Sequence, residues 1–428
     1  MKHPLKLWTA SALASFLGVS VATAQLRPVS HLVQAHAGAA SCAEPTCCVP
    51  SQRCAAACEP PCAVEPDCHA PPEQQGNGCA GGHGGAETCP CYLFGPDEPI
   101  TLWHKDECCR VNVAGWVSFG YHNKPTPLST TFGEGLSFND VPNRFNNHQT
   151  WLYIERMLDT ENGCWDWGYR ADLLYGTDAQ KTQAFGQLSG WDTQWDHGVY
   201  GWALPQAYAE VGNDRFQVRM GHFYTLAGYE VVAAPGNFFY SHALTHFNSE
   251  PFTHTGVLTT YKYSDELTVY AGWTAGWDTG FAQFNNGSNF IGGFTSNVSD
   301  DVTFTYITTF GNFGLRGDDA YYHGIVVNMQ LTDKLTYIWH NDLLRIDSVG
   351  DDDLSIVQYL LYQVNDCLAH GTRIEWWKND GVSQYVATYG VNYKPHANWM
   401  IRPEIRYDWR PADNFDQWTF GVDTFVTF

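Results

Sequence analysis

Residues 417–428 run QWTFGVDTFVTF. Alternate residues form two unlike sets. Trp418, Phe420, Val422, Thr424, Val426 and Phe428 are almost wholly apolar, while Gln417, Thr419, Gly421, Asp423, Phe425 and Thr427 are mostly polar. A repeat of two with different faces is that of a β-strand. A terminal soluble edge strand is usually blunted by charge, proline or a tail. This one is long, aromatic and unprotected, so the expectation is a strand that closes a barrel whose outer face meets lipid. The rival is an edge strand of a soluble sandwich, and the rest of the chain must separate the two.

Composition favours the barrel. The 428 residues exceed what one soluble domain usually needs but suit a large barrel. Aromatic residues make up 15% and charged residues only 16%, which is ring-rich and charge-poor for a soluble surface. Mean hydropathy is -0.30, so the chain is no bundle of membrane helices, yet alternating strands need not raise that mean. The formal net charge of -22 argues against nucleic acid as a partner, because phosphates would be repelled. It fits a surface that attracts cations.

The amino terminus reads as a secretory signal, residues 1–24. Lys2 and Lys6 supply the positive segment, 7–21 the apolar one, and Ala22-Thr23-Ala24 the cleavage site before Gln25. The apolar run falls short of the roughly 20 residues a spanning helix needs.

Residues 25–110 form a second zone, rich in Cys, Pro and Gly. Twelve of the 14 cysteines lie here: Cys42, Cys47, Cys48, Cys54, Cys58, Cys62, Cys68, Cys79, Cys89, Cys91, Cys108 and Cys109. With few large apolar residues among them the zone cannot bury a core, so it is expected to be disordered or ordered only by crosslinks. In an exported chain disulfides are the first reading, within the zone or to neighbouring chains. Metal binding is the second, with His69 and His83 as extra ligands. No C-x-x-C pair supports a zinc ribbon, and no C-x-x-C-H supports covalent haem, so no cofactor and no metal are expected.

From residue 111 to 428 short alternating segments recur, punctuated by Gly, Asn, Asp and Pro. Strands are expected over 111–121, 149–158, 164–176, 199–211, 215–225, 254–263, 267–278, 302–312, 320–331, 335–346, 354–364, 369–379, 383–394, 399–410 and 417–428. Connections alternate between short and long, as periplasmic turns and outer loops do in outer-membrane barrels. The alternation fails only between 267–278 and 302–312 unless the glycine-bearing 288–298 is also a strand. With it the chain is an all-β, transmembrane, antiparallel up-and-down barrel of about sixteen strands. Both ends fall on the periplasmic side, and 417–428 pairs with 111–121.

The charged alternates identify the inner face, since Arg or Lys facing mid-membrane lipid costs about 2–4 kcal/mol each. Asp166, Arg170 and Asp172 alternate with Trp165, Trp167, Tyr169, Ala171, Leu173 and Tyr175. Arg402, Glu404, Arg406, Asp408 and Arg410 alternate with Ile401, Ile405, Tyr407 and Trp409, and Arg373 and Glu375 with Ile374 and Trp376. These ten charged residues are the pore-lining candidates; their rival role is to pair across the wall and stiffen it. A lumen carrying both signs of charge implies water. Glu155 and Arg156 are adjacent, so one of them must point outward or sit near the interface. Connections 177–198 and 226–253 are the candidate constriction loops, and His242, His246 and His254 in or beside the second are a lesser metal candidate. The acidic run 351–353 reads as solvated loop.

The segments WDWGYRADLLYGTDA (165–179), GWALPQAYAEV (201–211), GHFYTLAGYEV (221–231), PGNFFYSHALT (235–245) and EPFTHTGVLTTY (250–261) resemble the beta-barrel porin-2 (OmpL-like) family of bacterial outer membranes. The resemblance covers roughly 111–428 and omits the cysteine-rich zone. It implies an outer-membrane location and a porin-like barrel, and it carries no catalytic residues.

The expected function is therefore a porin, a water-filled channel for passive diffusion of small hydrophilic solutes. The alternative is a structural envelope protein whose cysteine-rich extension crosslinks to the wall or to neighbours. An enzyme is not expected, as no G-x-S-x-G motif or other catalytic constellation is present. Expected partners are outer-membrane lipids, the barrel assembly machinery reading Phe428 as a signal, and sister chains in a homotrimer.

Overall fold

The computed structural model describes residues 101, 110–123, 138–160, 163–184, 192 and 195–428. The signal peptide, the twelve clustered cysteines and nearly all of the extension lie outside the described residues. The barrel strands are β1 (Val111–His122), β2 (Asn146–Arg156), β3 (Asp166–Gly176), β4 (Tyr200–Ala203 continued by Ala207–Gly212), β5 (Phe216–Tyr224), β6 (Thr253–Lys262), β7 (Leu267–Trp277) and β8 (Ser288–Ser299). They continue as β9 (Val302–Asn312), β10 (Ala320–Thr332), β11 (Leu335–Ile346), β12 (Asp351–Asn365), β13 (Leu368–Asn379), β14 (Val382–His396), β15 (Trp399–Arg410) and β16 (Phe415–Thr427). Each pairs antiparallel with its neighbour in sequence, and β16 pairs with β1, so sixteen strands close a ring. A two-residue piece, Asp196–His197, pairs only with Tyr200–Ala203 and stands outside the ring.

Closure runs to the last residue. Trp116 lies opposite Thr427 and His122 opposite Gly421, while Gly115 and Phe428 exchange both backbone hydrogen bonds, at 3.0 and 2.9 Å. Trp418 and Phe420 are exposed on the outer face, and Gln417, Thr419 and Asp423 are buried on the inner one. The weak-looking glycine segment is a full strand, β8, laddered to β7 and β9.

Most strand bounds shift by a few residues, and three differences have a local reason. The fourth strand is interrupted at 204–206, because Pro205 has no N–H to give the ladder; the Asp172 N–H reaches across to the Gln206 carbonyl instead. β2 sits three residues earlier than its hydrophobic pattern suggests. This turns Glu155 inward to Arg170 (2.9 Å) and leaves Arg156 outward at the rim, where it bonds Asp166 and lies 4.3 Å over the Trp167 ring. β12 begins at Asp351, so the acidic run is strand rather than loop: Asp352 pairs with Arg345 across β11, and Asp353 is buried.

Tight turns gather at one end and long loops at the other. At the loop end the connection between β13 and β14 is nonetheless a two-residue turn. Asp380 and Gly381 have φ of 47° and 88°, the left-handed pair that a twisted hairpin demands. The two cysteines among the described residues, Cys164 and Cys367, both lie in short-turn connections and are both disulfide-bonded.

Charge on the outer face should be tolerated only at its rims. Ile405, exposed in the middle of β15, should cost about 2–4 kcal/mol when changed to Arg, and Val298 near the short-turn rim about 0–1. Reversible unfolding in lipid vesicles measures both.

Candidate functional site

The lumen is not an open cylinder. Residues 225–252, the connection between β5 and β6, leave the loop end and fold inward. Most of this segment is buried, including Phe239, Tyr240, Ser241 and everything from His242 to Glu250. Backbone running through a lumen has no strand partner, so its N–H and C=O groups must be met some other way. The inward side chains of the wall meet them.

Arg373 on β13 donates to Glu230 (2.6 Å), the Ser241 carbonyl (2.7 Å) and the Ser241 hydroxyl (3.1 Å). Glu375, two residues on, accepts from Leu244 N–H (2.9 Å), Thr245 N–H (2.8 Å) and the Thr245 hydroxyl (2.7 Å). These are the first amides of a one-turn helix, α1 (Leu244–Asn248), so a wall carboxylate does what an N-cap side chain ordinarily does. On β15, Arg402 donates to the carbonyls of Ala234 (2.9 Å) and Asn237 (2.6 Å). Glu404 accepts from the Tyr240 and Ser241 amides, and Arg406 donates to the His242 carbonyl. Burial alone would raise the Glu230 carboxyl, but Arg373 and His242 hold it well below the usual carboxylate range.

Packing supplies the other half of the fit. Gly390 on β14 lies under the Phe239 ring and Gly421 on β16 under the Tyr240 ring; a Cβ at these positions would sit 3.0 and 2.7 Å from ring carbons. Two inward glycines thus make seats for two consecutive aromatics. Tyr240 also bonds His148 (2.7 Å) through its hydroxyl. Gln149 on β2 holds the loop from both directions, donating to the Val232 carbonyl and accepting from the Ala234 amide. Gly421→Leu should unseat Tyr240 and loosen the loop without touching the ladder, seen as faster amide exchange over 238–245.

The sequence reading set ten charged side chains along water. Arg373, Glu375, Arg402, Glu404, Arg406 and Asp408 do point inward, but they are buried beneath the loop and spent on it or on one another. Arg170 and Asp172 pair with each other (2.7 Å) on the inner face of β3, at mid-strand. Asp166 is not in the lumen: it sits at the short-turn rim, joined to Arg110 (2.5 Å) and Arg156 (3.1 Å). Arg410 is at the opposite mouth with Asp413 (2.7 Å). His242, His246 and His254 do not converge. The first two bond Glu230 and Glu250 and stack at 4.7 Å, whereas His254 bonds Thr225. Of the two constriction candidates, the second fills the lumen. The described part of the first carries a short helix, Ala179–Thr182. Sequence reasoning passed over Glu230, Gln149 and Asp353, which bond the loop from within it or from the wall. An acid set among apolar residues, in LAGYEVVAAP (226–235), was the one visible signal for Glu230.

The lumen therefore has two unlike halves. Toward the long loops it is packed. Toward the short turns its inward residues are partly exposed and mostly polar, among them Tyr270, Thr295, Thr305, Asn328, Thr336 and Asn392. Two small cavities remain between loop and wall. One is lined by His148, Tyr240, Arg402 and Asp423, the other by Tyr240, Glu404, Arg406 and Thr419.

A sequence profile of the beta-barrel porin-2, OmpL-like family matches residues 110–428, the whole barrel. The chain belongs to this family. The porin is accordingly a protein of the bacterial outer membrane, and its family and fold are those of a channel. No curated protein matches its sequence. Its fold is that of solved outer-membrane barrels. The outer membrane channel DcaP of Acinetobacter baumannii is 10% identical, with a TM-score of 0.52 over 74% of this chain and 97% of that one. The anion-selective porin from Comamonas acidovorans is 9% identical, with a TM-score of 0.52 over 74% and 99%. Pseudomonas putida OprB is 11% identical, with a TM-score of 0.52 over 74% and 94%. At such identities the likeness concerns fold alone.

Proposed function

We propose that this porin passes small hydrophilic solutes by passive diffusion and that loop 225–252 is its constriction. The observation that carries this reading is a polar, partly exposed half-lumen that ends on one infolded loop inside a barrel of the porin family. The lumen favours cations. Five inward arginines each have their own carboxylate: Asp172 for Arg170, Glu210 for Arg219, Glu230 for Arg373, Asp423 for Arg402 and Asp408 for Arg406. Arg316 reaches the Asn248 carbonyl of the loop and acts on Asp353. Among the described residues Glu375, Glu404, Asp342 and Glu250 form no ion pair with an arginine, so the local field is negative. Swelling of proteoliposomes in small sugars and amino acids tests the reading: uptake that falls with solute size is expected, and no uptake of any solute contradicts it.

We also place residues 25–110 on the periplasmic side, tied by disulfides. In support, Cys164 and Cys367 sit in short-turn connections and are oxidised, and the strand order sets them far apart around the rim. Phe428 serves assembly, as the residue that completes the β16–β1 seam. Its deletion should lower the inserted fraction more than the conductance of what does insert; unchanged membrane levels would refute this. Association as a homotrimer is checked by crosslinking in native membranes.

A further inference from the structure

One buried cluster is not used to hold the loop backbone. His340 and Asp342 occupy successive inward positions on β11, and Glu250 approaches them from the end of the infolded loop. His340 Nε2 lies 3.0 Å from Asp342 Oδ1 and 3.4 Å from Glu250 Oε1. One ligand atom from each of the three falls within 4.8 Å of the others. Ligands about 2.0–2.2 Å from a common ion stand close to this spacing, so small adjustments would bring them into coordination. His246 is adjacent, with Nδ1 3.1 Å from Glu250 Oε2.

The cluster is deficient in positive charge and in hydrogen bonds. Glu250, His340 and Asp342 are 3%, 2% and 0% exposed. Among the described residues neither carboxylate has a Lys or Arg within ion-pair distance; their charged neighbours are the two histidines. Glu250 Oε1 and Asp342 Oδ2 are buried without a hydrogen-bond partner. Two carboxylates in one dry pocket repel, and each unmet oxygen costs free energy. A divalent cation would remove both penalties at once, taking the imidazole nitrogen and the free carboxylate oxygens as ligands. Mixed imidazole and carboxylate donors suit Zn²⁺, Mn²⁺ or Fe²⁺ better than Ca²⁺ or Mg²⁺, which take oxygen.

We propose that Glu250, His340 and Asp342 form a site for a divalent transition-metal ion that ties the infolded loop to the barrel wall, with His246 beside it as the candidate fourth ligand. The ion would bridge residues 90 positions apart in sequence and fix the end of the constriction. Tyr322, whose hydroxyl donates to Asp342 Oδ1 at 2.9 Å, orients that carboxylate from β10.

The test uses the full chain, folded in detergent, stripped with chelator and dialysed against Zn²⁺ or Co²⁺. One retained equivalent is expected, with Co²⁺ giving the visible bands of a low-coordinate site bearing nitrogen and oxygen ligands. Glu250→Gln and Asp342→Asn should each weaken binding by more than the roughly 10–100-fold that loss of a mere supporting partner costs. Retained heat-modifiable mobility on gels shows that each variant is folded. His197→Gln, on the exposed piece outside the ring and far from the cluster, should bind as the wild type does. Absence of stoichiometric binding by folded wild-type protein overturns the proposal and leaves a cluster held by protons alone; so does binding that neither substitution weakens. A chelator-induced rise in conductance is expected too. That arm rests on the channel reading, whereas metal retention does not, so the two can fail separately.

Discussion

Arg373→Ala should destabilise this porin by about 3–5 kcal/mol, the usual consequence of removing one member of a buried, hydrogen-bonded ion pair. The side chain is fully buried and reaches four groups: Glu230, the Ser241 carbonyl and hydroxyl, and Thr388. Alanine leaves Glu230 in a dry pocket with His242, the Ala243 amide and the Tyr359 hydroxyl as its partners. Part of the loss is then recovered by letting the loop leave the lumen. The variant should therefore unfold at lower denaturant and carry a larger, noisier current. Arg373→Lys should recover only part of the stability, because one ammonium cannot span Glu230 and Ser241 as the planar guanidinium does. A variant as stable and as quiet as the wild type would show that Arg373 does not anchor the loop.

Replacing residues 238–248 with a short Gly-Ser link should have the opposite balance, a conductance several-fold higher with little change in barrel stability. The ladder, not the loop, satisfies the barrel backbone. The wall residues that now bond this part of the loop, Glu404, Arg406 and Glu375, would be released to water, which solvates charges well. The contrast with Arg373→Ala is instructive: removing a whole buried partner set can be cheaper than removing half of it. Single-channel records and denaturant curves of the two proteins, side by side, test the pair.

The barrel was legible because two periodicities run through the chain. Alternation at 165–175 and 399–410 names the faces, and connection length forces 288–298 into a strand despite its glycines. The misplaced boundaries are those where side chains outvote pattern: Pro205 breaks a ladder from within, and Arg156 stays outside by leaning on Trp167. The inward direction of Arg373, Glu375, Arg402, Glu404 and Arg406 was equally readable, since mid-membrane lipid forbids the other face. Their burial was not. Their partners are backbone groups of a loop with no periodicity, and nothing local to β13 or β15 says that amides of 240–245 will arrive there. Asp166 was misassigned because alternation fixes a face but not a height, and at the rim the faces meet. The Glu250, His340 and Asp342 cluster was invisible for a related reason: it joins a loop to a strand that the chain reaches only 90 residues later.

We propose a cation-preferring channel throttled by loop 225–252. Planar-bilayer recording in a salt gradient, on the full chain and on the loop-shortened form, tests it most directly. Discrete steps with a reversal potential of cationic sign, larger in the shortened form, are the predicted result. No steps in either protein, or a current of the same size in both, would contradict it.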